Sequence, residues 1–131
     1  MCASSHAAVP NTHRILSVIG TRPEAIKMAP VVHALDAAPW AESRVLTTGQ
    51  HRDMVDDQLA FFGVTTDLAL DVMKPGQDLT SLTAAILPAL DDALRSVQPA
   101  LVLAQGDTTT VLAAALACYY RRVPFGHVEA G

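Results

Sequence analysis

The feature of this sequence that most restricts its fold is the alternation of short apolar runs with longer amphipathic stretches. The apolar runs, expected to be strands, cover residues 15–19, 44–47, 68–70, 101–105 and 125–128. The amphipathic stretches, expected to be helices, cover residues 23–37, 53–62, 79–97 and 109–121. Strands that alternate with helices predict right-handed crossovers and a parallel sheet. The sequence therefore predicts an α/β fold with a Rossmann-like parallel sheet and flanking helices.

Two of these segments carry further information about packing. In the third helical stretch, apolar residues recur at three- and four-residue intervals, which predicts a single buried face. These residues are Leu79, Leu82, Ile86, Leu87, Leu90 and Leu94. The segment 68–70 is short and is flanked by Asp67 and Asp71, so we expect it to form an edge strand.

Composition narrows the class of protein. Half of the 131 residues are hydrophobic, and the formal net charge of −4 argues against a nucleic-acid-binding surface. No apolar run has the length of a membrane span, so no membrane partner is expected and the protein is expected to be cytoplasmic. Two cysteines make neither a disulfide framework nor a metal-ligand cluster, and Cys118 is expected to be a buried thiol. Residues 1–13 are expected to form a flexible leader and residues 14–131 a single Rossmann-like domain.

Polar residues follow the first predicted strand, at the sheet edge where open parallel sheets bind ligands. Thr21 and Glu24 have the spacing of a capping box, and Pro23 suits the first turn of a helix. Arg22 and Lys27 are not explained in this way, because cations near a helix N-terminus oppose the helix dipole. Together with free helix N–H groups they would form a phosphate site; the alternative is two solvated surface cations.

The turns after the fourth and fifth predicted strands contain the candidate carboxylates. Asp107 has the position of a helix N-cap, although the three threonines that follow it are poor helix openers and suggest a use for their hydroxyls. Glu129 follows the fifth strand and is a candidate general acid or base, with a surface glutamate or a helix cap as alternatives. His127 is expected to be a hydrogen-bonded histidine packed by the sheet, and His51 a solvated loop residue.

Several other chemistries are excluded by the absence of their motifs. The first strand is not followed by G-x-G-x-x-G, and neither a P-loop nor a G-x-S-x-G nucleophile elbow is present. The histidines lack zinc-ligand spacing, so no metal and no cofactor are expected. The residues themselves indicate an α/β domain that binds a phosphorylated ligand.

Four segments together resemble the non-hydrolysing UDP-N-acetylglucosamine 2-epimerases. They are VIGTRPEAIKMAP at residues 18–30, TGQH at 48–51, QGDTTT at 105–110 and HVEAG at 127–131. The resemblance implies the N-terminal domain of a two-domain, GT-B-like enzyme that inverts C2 of UDP-N-acetylglucosamine through elimination and re-addition of UDP. It also implies that the full-length form is a homodimer.

The resemblance assigns roles to individual residues of this sequence. Arg22 and Lys27 match substrate-binding positions, and Asp107 and Glu129 match catalytic carboxylates at the sugar. Gln50, His51 and Gln77 match positions that bind a second, regulatory UDP-N-acetylglucosamine. Gly76, beside Gln77, departs from the arginine that some members carry.

The sequence ends in a turn that should open another helix, so the chain is expected to be truncated and inactive alone. Two alternatives stay open. One is another enzyme of the same architecture, such as a hydrolysing 2-epimerase or another nucleotide-sugar enzyme. The other is a truncated, non-catalytic module that binds a ligand or dimerises.

Overall fold

The computed structural model describes residues 12–128 of the chain; Glu129, for which a catalytic role is expected, lies outside the described residues, as do residues 1–11. Five strands alternate with four helices over this range, as the sequence pattern predicts. The strands are β1 (His13–Ile19), β2 (Ala41–Thr47), β3 (Leu68–Ala69), β4 (Leu101–Gln105) and β5 (Phe125–Val128). The helices are α1 (Arg22–Ala37), α2 (Arg52–Phe61), α3 (Leu79–Val97) and α4 (Thr109–Arg121).

The five strands form one sheet in the order β3-β2-β1-β4-β5, and every neighbouring pair is parallel. The predicted Rossmann-like parallel sheet is therefore confirmed. The chain moves from β1 outward to β3 and then crosses back to place β4 on the other side of β1. The winding direction thus reverses between β1 and β4, which creates a crevice at their carboxyl ends.

The sheet has a hydrophobic core on each face, as a parallel sheet between helices requires. Alternate residues of β1 face opposite sides, so Leu16 and Val18 contribute to one core and Ile19 to the other. The first core is completed mainly by α3 and α4, and the second mainly by α1 and α2. Both faces of β1 are covered from Ile15 to Ile19, the part of the strand that leads to the crevice.

The expected buried face of α3 is present, with one correction. Leu82, Ile86, Leu90 and Leu94 are buried, but Leu79 is 70% exposed. Leu79 is the first residue of the helix, where the chain has not yet reached the sheet, so the periodicity extends one turn beyond the packed surface. Cys118 is buried as expected, at 1% exposure, and this burial raises the pKa of its thiol to about 11.

The boundaries of five other elements differ from the sequence prediction, by one residue for α1, α2 and β3 and by two or three for β1 and β2. β1 begins at His13, and its register with β2 pairs His13 with Ala41, so β2 begins three residues before the expected segment 44–47. The residues added at the start of β2 are half-buried and do not belong to an apolar run of the sequence. They are part of the strand because their backbone pairs with β1. The third strand is confirmed as an edge strand, with only Leu68 and Ala69 in the ladder.

None of the described helices combines the length and apolarity needed to cross a membrane.

Candidate functional site

The candidate site is the crevice at the carboxyl ends of β1 and β4. The β1 turn, residues 20 and 21, leads from β1 into α1. The β4 turn, residues 106–108, leads from β4 into α4, and the β2 turn, residues 48–51, lies beside the β1 turn. Three of the four polar segments found in the sequence therefore meet at one edge of the sheet.

The side chain of Glu24 lies at the centre of this edge and is only 2% exposed. Its Oε1 accepts hydrogen bonds from the backbone N–H groups of Gly20, at 2.7 Å, and Thr21, at 3.3 Å. Its Oε2 accepts a hydrogen bond from the hydroxyl of Thr108 in the β4 turn. The predicted capping box of Thr21 and Glu24 is present, but the same carboxylate also joins two turns that are remote in sequence.

Thr110 makes a second connection beneath the site. Its side chain is fully buried, and its Oγ1 lies 3.1 Å from Thr48 Oγ1 and 3.0 Å from Gln50 Oε1, both in the β2 turn. A Cβ at Gly20 would lie only 2.2 Å from Thr110 Oγ1 and 2.7 Å from Thr110 Cβ. The glycine in the β1 turn is therefore needed because α4 begins directly against it.

The β4 turn is supported from a third direction by β5. The ring Nε2 of His127 lies 2.6 Å from the carbonyl oxygen of Gly106. The expected hydrogen bond of His127 is thus present, although the side chain is exposed and not packed within the sheet. Gly106 has a φ of +100°, which favours glycine, and a Cβ there would lie 3.6 Å from the Glu24 carboxylate.

The charged residues singled out in the sequence are exposed above this buried network. Arg22 is the first residue of α1, Lys27 lies about one turn further along, and both side chains are exposed. The N–H groups of Gly20 and Thr21 donate to Glu24, so the turn beside Arg22 has two fewer N–H groups for a phosphate than the sequence suggested. An anion at this edge would rely mainly on the two cationic side chains.

The expectation that Asp107 caps α4 is wrong. The N-cap residue is Thr108, and Asp107 precedes it with an exposed side chain. The chain reaches helical geometry one residue later than expected, because the β4 turn needs Gly106, Asp107 and Thr108 to leave the strand. Within residues 12–128, the carboxylate of Asp107 neither caps α4 nor forms a hydrogen bond or ion pair.

The three residues expected to form a regulatory site lie in two places. Gln50 is half-buried and bonded to Thr110, and His51 is the exposed N-cap of α2 with a φ of 51°. Gln77 lies in the loop before α3, where it accepts from the N–H of Lys74 at 3.2 Å and donates to the carbonyl of Val72 at 3.3 Å. Among the described residues, no hydrogen bond joins Gln77 to Gln50.

Sequence reasoning missed the connecting role of Glu24, Thr108 and Thr110. The sequence indicated a capping role for Glu24 and some use for the hydroxyls of the threonines, but not their partners. Their hydroxyls are used for contacts between turns, which was the one signal that the sequence offered. Within residues 12–128, no group of His, Cys, Asp and Glu is arranged to hold a metal ion.

The fold and this polar edge define a Rossmann-like α/β domain whose candidate ligand-binding groups lie at the switch in winding direction. Comparison with known proteins identifies the family. A family model described as UDP-N-acetylglucosamine 2-epimerase matches residues 33–131. The chain therefore belongs to the UDP-N-acetylglucosamine 2-epimerase family.

Individual relatives agree with this assignment. The chain is 52% identical to the UDP-N-acetylglucosamine 2-epimerase of Escherichia coli (strain K12) over 118 residues, which are 90% of this chain and 31% of that protein. The structure of the Neisseria meningitidis UDP-GlcNAc 2-epimerase, solved with UDP-GlcNAc bound, is similar with a TM-score of 0.85 and 47% identity, covering 90% of this chain and 32% of that one. The S. aureus MnaA–UDP structure gives a TM-score of 0.87 and 42% identity, covering 92% and 31%. The chain spans about a third of the length of these relatives.

Proposed function

We propose that this chain is the N-terminal part of a non-hydrolysing UDP-N-acetylglucosamine 2-epimerase, in which it forms one wall of the substrate cleft. The observation that carries the proposal is the edge of the sheet described above. It presents the exposed cations Arg22 and Lys27 on one side of the switch point and the carboxylate Asp107 on the other. The relatives solved with UDP-GlcNAc and with UDP support a nucleoside diphosphate sugar as the ligand.

The proposed reaction is an elimination followed by an addition. A base removes the proton from C2 of the sugar while the C1–O bond to UDP breaks, which leaves an unsaturated sugar and UDP. A proton is then delivered to the opposite face of C2 and a UDP oxygen re-forms the bond to C1, which gives UDP-N-acetylmannosamine. The atoms balance without an oxidant or a cofactor.

Each charged residue has a proposed role in these steps. Arg22 and Lys27 hold the diphosphate and stabilise the negative charge that develops on UDP as it leaves. Asp107, with Glu129 from the turn after β5, acts at the sugar in proton transfer or in orienting the ring. One wall of a cleft neither encloses nor orients the sugar, so we expect the 131-residue chain alone to have no epimerase activity.

Three further proposals follow from the resemblance. Gln50, His51 and Gln77 contribute to a second, regulatory site for UDP-N-acetylglucosamine. The complete enzyme is a cytoplasmic homodimer. It needs neither a nucleic acid nor a membrane as a partner.

The function is testable in a chimeric enzyme, defined as residues 1–131 followed by the part of the E. coli relative that lies beyond the matched segment. Incubation with UDP-N-acetylglucosamine, followed by NMR of the products, should show UDP-N-acetylmannosamine. Free N-acetylmannosamine and UDP would instead indicate a hydrolysing enzyme. A folded chimeric enzyme that produces neither would contradict the proposal.

Variants of the chimeric enzyme test the residue assignments. Arg22→Ala should raise the Kd for UDP, and Asp107→Asn should lower kcat with little change in that Kd. The matched controls are Arg95→Ala and Asp92→Asn, which alter an exposed ion pair on α3 far from the crevice. If a site variant and its control changed kcat or the Kd for UDP equally, the proposed role of that site residue would be rejected.

A further inference from the structure

Among the residues that the structure describes, Glu24 is the only acidic residue whose side chain is buried. Burial of a carboxylate is unfavourable unless its oxygens have hydrogen-bond donors. Here the donors come from both sides of the switch point, namely the N–H groups of Gly20 and Thr21 in the β1 turn and the hydroxyl of Thr108 in the β4 turn. A single side chain therefore ties the two turns of the crevice together.

The contact with Thr108 is not needed to begin either helix. The capping box of α1 is formed by Thr21 and Glu24 alone. Thr108 is the N-cap of α4, yet its side chain makes no capping hydrogen bond; its hydroxyl instead donates across the crevice to Glu24. A threonine N-cap normally uses its oxygen to accept from the first turn of its own helix. The unusual use of this hydroxyl points to a role between the turns.

The residues that Glu24 holds are the immediate neighbours of the charged groups assigned to the ligand. Thr21 precedes Arg22, and Thr108 follows Asp107. We propose that Glu24 is a positioning residue that, through Thr108, fixes the distance between the diphosphate-binding side and the sugar-binding side of the crevice. This inference rests on the proposed function, and it assigns to Glu24 a task that neither capping nor ligand contact explains.

The contact between Glu24 and Thr108 should matter for the rate of C2 proton transfer but not for the affinity for UDP. UDP needs only the cationic side of the crevice, whereas C2 proton transfer needs both sides at a fixed distance. A misplacement of about 1 Å lowers the rate of a chemical step by about 100-fold. Loss of the tie should therefore lower kcat much more than it changes the affinity for UDP.

Thr108→Val is the informative variant, because it removes the hydroxyl while it leaves the capping box of α1 intact. Thr108→Ser restores a hydroxyl and serves as the conservative rescue. Thr83→Val is the matched control, since its hydroxyl donates to the Leu79 carbonyl within α3.

The first measurement is backbone hydrogen exchange by NMR in the 131-residue chain. In Thr108→Val the Gly20 and Thr21 amides should exchange about tenfold faster than in the wild type, because the Glu24 side chain loses its anchor on the β4 turn and the β1 turn then opens more readily. Thr108→Ser should restore slow exchange, and Thr83→Val should not alter it. Unchanged exchange of both amides in Thr108→Val would overturn the proposed tie.

The second measurement is kcat, KM and the UDP dissociation constant of the chimeric enzyme, with the active-site concentration taken from the stoichiometry of UDP binding. Thr108→Val should lower kcat by about 10- to 100-fold with a Kd for UDP within about threefold of the parent, and Thr108→Ser should recover most of kcat. A kcat within twofold of the parent, or an equal fall in kcat and affinity, would overturn the positioning role. An inactive parent enzyme would instead contradict the proposed function, and with it the catalytic part of this inference, while the exchange data decide the tie itself.

Discussion

Replacement of Gly20 by alanine is the substitution whose effect follows most directly from the structure. The added Cβ would lie 2.2 Å from Thr110 Oγ1, 2.7 Å from Thr110 Cβ and 3.1 Å from Thr110 Cγ2. Thr110 is fully buried at the start of α4, and the contacts are with Cβ and the atoms bonded to it, so the clash cannot be relieved by bending a long side chain away. The backbone of Gly20 does not have a positive φ, so the expected effect is steric and not conformational.

The magnitude can be estimated from two contributions. Overpacking of a closely packed site destabilises a protein by about 1–3 kcal/mol. Displacement of Thr110 also weakens its hydrogen bonds to Thr48 and Gln50, each of which contributes about 0.5–1.5 kcal/mol. The free energy of unfolding should therefore fall by about 2–6 kcal/mol, which for a domain of this size lowers Tm by roughly 8–24 °C.

The assay is urea unfolding of the 131-residue chain followed by circular dichroism, with two other glycines as controls. Gly126→Ala brings a Cβ to 2.6 Å from Leu103 Cδ2, the far end of a flexible side chain, and should destabilise by less than about 1 kcal/mol. Gly63→Ala meets no atom within 4 Å but forces alanine to a φ of +70°, at a cost of about 1 kcal/mol. If Gly20→Ala were no more destabilising than Gly126→Ala, the steric argument would be refuted.

Three other predictions concern single groups. Thr110→Val keeps the shape of the side chain but removes the hydrogen bond to the buried hydroxyl of Thr48, so the free energy of unfolding should fall by about 1–3 kcal/mol in the same urea assay; no loss would show that water replaces the hydroxyl. The buried thiol of Cys118 has its pKa raised from 9.0 to about 11, so the folded state keeps the proton that the unfolded chain loses. Stability should therefore decline between about pH 9 and pH 11, and this decline should be absent in Cys118→Ala; both proteins are compared in a Cys2→Ser background. The hydrogen bond from Arg121 lowers the pKa of Asp91 below 3.8, so the stabilisation by this pair is present above that pH and is lost as the pH falls through the lowered pKa. NMR titration should show the Asp91 pKa return toward 3.8 in Arg121→Gln, and an unchanged value would reject the pairing.

The fold could be predicted from the sequence because its signals are local. Apolar runs that alternate with helical periodicity require crossovers, and the brevity of segment 68–70 between two aspartates predicted the edge strand that the structure contains. The packed length of each element is not a local property. Leu79 continues the periodicity of α3 but lies beyond the surface that the sheet and α4 cover, so it is exposed.

The candidate site was only partly predictable for the same reason. The turns at the carboxyl ends were identified because their polar residues interrupt an apolar pattern. The bonds that join them link residues 84 positions apart, in the case of Glu24 and Thr108, and 60 positions apart, in the case of Gln50 and Thr110. No spacing rule within a single element reveals such pairs, and the cap of α4 was misplaced by one residue because Asp107 and Thr108 are both acceptable capping residues.

The two classes of polar residue at this edge have opposite environments, and this difference indicates how the site is built. Glu24 and Thr110 are buried and hydrogen-bonded within the protein, and they join the turns after β1, β2 and β4. Arg22 and Asp107 are exposed and adjoin Thr21 and Thr108, the residues that Glu24 holds. A buried polar network is stable only when all of its members are satisfied, so the platform is rigid as a unit. The backbone of each exposed charge is thereby held by a bonded neighbour, while among residues 12–128 no hydrogen bond or ion pair joins the side chain of Arg22 or Asp107 to the platform.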